Sequence, residues 1–305
     1  MTPSYPIRPQ NPLSSGDDSR TLSEKEAASG SGLLATIERG GQKVHIDLNR
    51  GIDLSIPMSF TDDDPNLYAI SPASKTTFQI DGMVGDTRMG GSCNVDVISL
   101  TPHCHGTHTE CVGHVTHERV SIRQIAPLGL LPCAVVSVTP ESLLDAGETS
   151  RPLLSSSDVG ITKQVLRRQL KNIQDEWLEA VVIRTLPNKI DKRRQAYFEN
   201  GAPFFSIEAI SYLMERGVRH LLVDLPSLDR LHDKGEMAAH RTWWNIEKGL
   251  HHVPDGPHLL RTITELIFVP DEVEDGCGLV SIQIPPFESD AAPSRPIYYA
   301  AHTIS

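Results

Sequence analysis

Apolar and polar residues alternate through Leu34-Ala35-Thr36-Ile37 and again through Lys43-Val44-His45-Ile46-Asp47-Leu48. That period of two is the mark of a half-buried strand, and Gly40-Gly41 between the runs suits a tight turn. The pair therefore predicts a β-hairpin. Ile52-Asp53-Leu54-Ser55-Ile56-Pro57 predicts another short strand, stopped by its proline. Residues 62–75 are polar and contain proline, which predicts a long surface loop. Residues 95–100 alternate once more and lead straight into a histidine-rich segment. Beyond it, residues 133–138, 180–185 and 220–224 are nearly continuous apolar runs, as expected of strands buried on both faces. Between them, residues 162–177 place Val165, Leu166, Leu170 and Ile173 at helical spacing. Residues 206–216 form a second amphipathic pattern that Ser206 can cap and Gly217 can end. Residues 263–269 and 279–284 read as two closing strands.

Strands before the histidines and strand–helix–strand units after them predict an α/β class: a single domain, residues 33–305, with a mixed sheet flanked by helices. Residues 1–32 are rich in Ser, Pro, Gly and charge and poor in apolar side chains. Such a segment cannot bury enough surface to offset its ordering entropy, so it is expected to be a disordered tail.

Composition narrows the function classes. A net charge of −11 argues against nucleic-acid or anionic-membrane partners, which require a basic face. Aromatics at 5% leave little for a base-stacking platform. No apolar run is long enough to span a bilayer, and the N-terminal residues lack the pattern of a secretory signal. The five cysteines form no CxxC pair and are expected as reduced thiols, which fits a cytoplasmic protein.

The chemistry is concentrated in one stretch. Five of the thirteen histidines lie in Pro102-His103-Cys104-His105-Gly106-Thr107-His108-Thr109-Glu110-Cys111-Val112-Gly113-His114-Val115-Thr116-His117. Imidazole, thiolate and carboxylate bind borderline divalent ions, and Gly106 and Gly113 permit turns that let such groups converge. A metal site is preferred over a solvated histidine loop because the cluster contains a carboxylate and follows a strand. A hydrolase with Cys104 or Cys111 as nucleophile is the less favoured alternative. Glu265 lies inside an apolar strand, where a buried carboxylate needs a partner. Ser227 and Asp229 follow a buried strand and can orient a ligand or merely form a turn.

The string His105-Gly106-Thr107-His108-Thr109-Glu110 with His114 resembles the signature His-x-Gly-Thr-His-x-Asp-x-Pro-x-His of the cyclase family, which includes kynurenine formamidases and isatin hydrolases. Further likeness is found in Asp53-Leu54-Ser55, in Val182-Ile183-Arg184-Thr185 and in Asp224-Leu225-Pro226-Ser227-Leu228-Asp229. It extends to Thr264-Glu265-Leu266 and Pro293-Ser294-Arg295-Pro296-Ile297, so that residues 45–305 are covered with inserted loops. The resemblance implies a barrel-like core of the swivelling β/β/α type. It makes His108 a metal ligand, Glu110 a bridging carboxylate in place of aspartate, and His114 the proton donor and acceptor. His240 and Glu265 would complete a second metal position. The family's first histidine falls at Cys104, so His103, Cys104 or His105 can supply that ligand; His103 is taken here. Val112 stands where the family has proline. The implied cofactor is a divalent metal, zinc or manganese, with one or two ions per chain. The implied activity is hydrolysis of a small amide, such as an N-formyl aromatic amine or a cyclic amide, in a cytoplasmic homodimer. A lyase or ring-closing reaction at the same metal, or a non-catalytic metal- or ligand-binding protein of this fold, are the alternatives.

Overall fold

The computed structural model describes residues 32–195, 197 and 201–303; the expected tail, apart from Gly32, lies outside them. In chain order the strands begin with β1 (Leu34–Arg39), β2 (Gln42–Asp47), β3 (Ile52–Asp53), β4 (Ser74–Thr77), β5 (Gln79–Ile80), β6 (Met83–Val84) and β7 (Asp96–Ser99). They continue with β8 (His108–Glu110), β9 (Leu130–Val138), β10 (Glu141–Ser142), β11 (Val159–Ile161), β12 (Ala180–Thr185), β13 (Phe204–Phe205) and β14 (His220–Val223). The last are β15 (Thr262–Glu265), β16 (Gly276–Gln283), β17 (Ala291–Pro293), β18 (Arg295–Ala300) and β19 (His302–Thr303).

Nine of these form one mixed sheet in the order β17-β8-β15-β14-β12-β9-β16-β18-β3, which curls into a half-barrel. β9, β12, β14 and β15 run parallel at its centre, with antiparallel strands on either side. Successive residues of the central strands face opposite sides of the sheet. Ala134, Val136, Val181, Ile183, Leu221 and Val223 therefore enter one core. Cys133, Val135, Ala180, Val182 and Leu222 enter another, closed by Leu54, Val280 and Tyr298. Burial on both faces is why these runs lack alternation in the sequence.

The first core is covered by helix Lys163–Leu170, through Val165, Leu166 and Leu170, and by helix Ile207–Glu215, through Ala209, Ile210 and Leu213. Thr162 caps the first helix by accepting from Val165 N, and Ser206 caps the second by accepting from Ala209 N. Gly217, at φ 82°, ends the second in the left-handed conformation that glycine adopts freely.

Some elements differ from expectation. The first helix ends at Leu170, and the pattern over 171–177 is a turn plus one 3-10 turn that still buries Trp177. The strand expected over 263–269 stops at Glu265 because Leu266 adopts φ 53°, which breaks the ladder. The run 95–100 does form β7, but among the described residues that strand pairs only with β4, and all its residues are exposed. The hairpin of β1 and β2 forms as expected and accepts β19 as a third strand. β17 and β18 were hidden in the sequence by Pro293 and Pro296, both at positions where proline is tolerated near a sheet edge. Among the described residues no helix is long and apolar enough to cross a membrane.

Candidate metal centre

β8 is only three residues long, yet it places His108 and Glu110 on one face, because residues two apart on a strand point the same way. Thr109, between them, points to the opposite side and meets Thr264 Oγ1 at 2.8 Å. β15 lies antiparallel beside β8 with Glu265 directly opposite His108, so this carboxylate shares their face. His103 and His114 approach from two short 3-10 turns, Pro102–Cys104 and Val112–His114, that flank β8. In the second turn Gly113 packs so closely that a Cβ would lie 2.1 Å from the Val120 carbonyl oxygen.

His240 arrives from a remote part of the chain, on helix Ala238–Trp243. The Asp229 carboxylate accepts from the Ala239 and His240 backbone N–H groups, at 2.7 and 3.1 Å, and so caps this helix. The same carboxylate accepts from His240 Nδ1 at 2.6 Å. The other ring nitrogen, Nε2, is thereby directed at Glu110 Oε1, 3.0 Å away, and at Glu265 Oε1, 3.5 Å away.

The other histidines follow the same rule. His108 Nδ1 donates to the Gly106 carbonyl at 3.0 Å, which leaves Nε2 as a lone pair 3.5 Å from Glu265 Oε2. His103 Nε2 lies 2.8 Å from Asp290 Oδ2, and its Nδ1 lies 3.0 Å from Glu110 Oε2. His114 Nε2 is 3.9 Å from Glu110 Oε2. His103 Nδ1, His108 Nε2 and Glu110 Oε1 are buried without a hydrogen-bond partner. One atom each from His103, His108 and Glu110 lies within 4.8 Å of the others, and so does one atom each from Glu110, His114 and His240. Orphaned nitrogen and oxygen atoms converging in this way are the arrangement a divalent cation satisfies, with the opposite ring nitrogen held by an acceptor. The residues fit the ion.

The alternatives for the first ligand separate cleanly in space. Cys104 is buried with Ile56, Leu67, Leu231 and Leu266, and burial raises the pKa of its thiol. His105 accepts from Thr101 N at 2.9 Å and donates to the Ser71 carbonyl at 3.0 Å, so neither ring nitrogen faces the cluster. Cys111 donates to the Val120 carbonyl, and burial pushes its pKa up to about 12. Neither thiol is poised as a nucleophile.

His103, Glu110, His114, His240 and Glu265 line a cavity of about 660 Å3, walled in part by Leu67, Tyr68, Leu231 and Met237, with His108 buried behind them. Residues 52–230, more than half of the chain, match the family model for cyclases. The chain belongs to the cyclase family. A kynurenine formamidase of Bacillus cytotoxicus is 26% identical over 208 residues, covering 68% of this chain and 80% of the relative. One from Bacillus cereus is 26% identical over 196 residues, 62% and 78% of the two chains. Isatin hydrolase A from Labrenzia aggregata, solved with benzyl benzoate, superposes with a TM-score of 0.56 at 16% identity, over 83% of this chain and 94% of that one. An isatin hydrolase bound to thioisatinate gives 0.55 at 13% identity, over 83% and 93%. At these identities the structures establish the shared cyclase fold.

The electrostatics of the centre are those of a tightly coupled cluster of imidazoles and carboxylates. Burial opposes charge on His240, but Glu110, Asp229 and Glu265 outweigh it and hold its pKa well above the ordinary histidine range. Burial likewise opposes charge on His103, yet Asp290 and Glu110 push its pKa up to about 10. Burial acts to raise the Glu110 carboxyl, but His114, His240 and His103 carry it well below its usual value. An incoming ion must displace these protons, so its affinity rises with pH.

Asp290 had no signal in the sequence. It precedes β17, and the pairing of Ala291 with Glu110 is what delivers it to the cluster. Nothing in the local pattern of Glu288-Ser289-Asp290 foretells a strand that docks on β8. Asp229 was a candidate for orienting a ligand, and its bonds to His240 place it against that ring.

Proposed function

We propose that this cyclase-family chain is a metal-dependent hydrolase of a small amide, an N-formyl aromatic amine or a cyclic amide. The observation that carries the reading is the convergence of three histidines, each with one ring nitrogen beside an acceptor, on two buried carboxylates at the floor of an open cavity. The kinship with kynurenine formamidases and the fold shared with isatin hydrolases point to the same class of C–N bond.

His103, His108, Glu110, His240 and Glu265 would hold the metal. Glu110 belongs to donor clusters with His103 and His108 and with His114 and His240, and it would be shared if two ions bind. Glu265 lies 3.5 Å from both His108 Nε2 and His240 Nε2. An ion bound there would supply Lewis acidity, lowering the pKa of a water toward neutrality and polarising the substrate carbonyl. The donor set is nitrogen and oxygen only, which suits zinc or manganese and disfavours ions that demand thiolate.

His114 has the remaining work. It lines the cavity, is partly exposed, and its Nε2 lies beyond bonding distance of Glu110. It would accept a proton from the attacking water and return it to the departing nitrogen, work for which imidazole offers both a donor and an acceptor nitrogen. Leu67, Tyr68, Leu231 and Met237 offer an apolar wall for the aryl part of the substrate, and exclude water from its ring. His114→Gln should keep its metal and lose about 10²–10⁴-fold in kcat on an N-formyl arylamine. Unchanged turnover, or loss of the metal with the histidine, would contradict the role.

Two coarser expectations complete the proposal. All five cysteines are free, in keeping with a reducing cytoplasm; a disulfide in the isolated protein would count against it. A homodimer is supported by the arm β4–β7, where Ile80, Met83, Val97 and Ile98 are exposed. A monomer in sedimentation equilibrium would rule that out.

A further inference from the structure

We propose that Asp290 is a positioning residue shared by two histidines: it fixes the tautomer of His103 for the metal and that of His114 for proton transfer. The inference rests on the roles given above to His103 and His114.

One oxygen carries both contacts. Asp290 Oδ2 lies 2.8 Å from His103 Nε2 and 3.3 Å from His114 Nδ1, and the two rings sit with centroids 4.2 Å apart. The other oxygen, Oδ1, accepts from the Ser289 hydroxyl at 3.3 Å. Among the described residues no lysine or arginine pairs with Asp290, so its charge is directed at the two imidazoles. Its backbone is fixed independently of the site: its carbonyl accepts from Cys111 N at 3.0 Å, and the next residue, Ala291, is in register with Glu110.

A carboxylate can only accept. Both histidines must therefore donate to it, His103 from Nε2 and His114 from Nδ1. With a cation between His103 Nδ1 and Glu110, the proton held at Nε2 would leave Nδ1 as the bare lone pair that a metal needs. The consequence at His114 is a bare Nε2 facing the cavity, the form a general base needs. When His114 then takes a proton at Nε2, the positive imidazolium lies against a carboxylate that already holds its Nδ1–H, the logic of a catalytic triad. His108 makes a useful contrast. Its anchor is a neutral carbonyl, which orients the ring but offers no charge to a cation.

The test uses full-length protein loaded with zinc. Asp290→Asn conserves size and the backbone contacts, but its amide can donate to a ring nitrogen that should be donating to it. Zinc affinity, measured by competition with a chromophoric chelator, should fall by roughly 10–100-fold, the usual cost of losing a partner behind a ligand. On an N-formyl arylamine, kcat should fall while KM stays near the parent value. In a His114→Gln background the same substitution should lower kcat no further, because the two act through one step. Independently of any variant, nitrogen-15 histidine spectra of the zinc-loaded parent should show His103 protonated at Nε2 and bare at Nδ1. Parent affinity and kcat in Asp290→Asn, an equal kcat loss in both backgrounds, or the opposite His103 tautomer would each overturn the proposal. If no amide is turned over, the hydrolase reading fails while the affinity and tautomer results still decide the role of Asp290.

Discussion

Glu110→Gln is expected to abolish both metal binding and amide turnover while leaving the fold intact. Glu110 is 1% exposed, and its two oxygens face His103, His114 and His240. An amide of the same shape fills the same space, so the packing of β8 between β15 and β17 is preserved. What is lost is a negative charge and one of the two oxygens that can share an ion. The loss in affinity should exceed the roughly 10–100-fold that follows removal of an outer partner, because a direct donor goes. Thermal unfolding reads this without reference to substrate. An ion at 100 times its Kd stabilises the folded state by about 2.7 kcal/mol, so the parent's melting point should rise on adding zinc or manganese and that of the variant should not. A variant that still shifts with metal and still hydrolyses the substrate would show that the ion sits elsewhere.

The second large effect concerns stability. Lys192→Met should destabilise the protein by about 3–5 kcal/mol, because it leaves a buried carboxylate without its cation. Asp224 has no exposed side-chain surface, and Lys192 Nζ reaches its Oδ2 at 2.7 Å with 12% of the lysine side chain exposed. Thr185 completes the cage, donating from its backbone N and Oγ1 to Asp224 at 2.8 and 2.9 Å while its Oγ1 accepts from Lys192. Even so, burial dominates and raises the Asp224 pKa. The pair matters beyond its own energy because Asp224 opens the turn that leads to Asp229. From that turn the Leu225 carbonyl accepts from Leu266 N, and Leu228 N donates to Glu265. Urea unfolding of the metal-free protein would measure the change, and adding Asp224→Asn should restore much of it. A loss below about 1 kcal/mol in the single variant would mean that water reaches Asp224.

The parts of the fold legible in the sequence are those whose cause is local. Ser206 and Gly217 delimit a helix because a hydroxyl cap and a left-handed glycine act within a few residues. β9, β12 and β14 are apolar because both of their faces are covered, and composition records that directly. β17 left no trace, being three residues long and ending at a proline. Its value lies in what it docks against.

The candidate site divides in the same way. His108 and Glu110 could be read as a pair because strand geometry fixes residues two apart on one face. Glu265 betrayed itself as a carboxylate in an apolar run. The sequence left His103, Cys104 and His105 open, since one residue of shift in a 3-10 turn reverses which side chain faces inward. Space separates them: Cys104 enters an apolar cluster and His105 bonds to Thr101 and Ser71. Asp290 was invisible because its place depends on a strand pairing between residues far apart in the chain, Ala291 and Glu110.

Anomalous scattering from crystals grown with zinc or manganese, recorded on either side of the metal's absorption edge, tests the ligand set itself. A strong peak within about 2.0–2.3 Å of Glu110 and of His103, His108 or His240 nitrogen is the expected result. Crystals with full metal content whose peaks all lie away from these residues, with His108 and Glu265 still side by side on their strands, would contradict it.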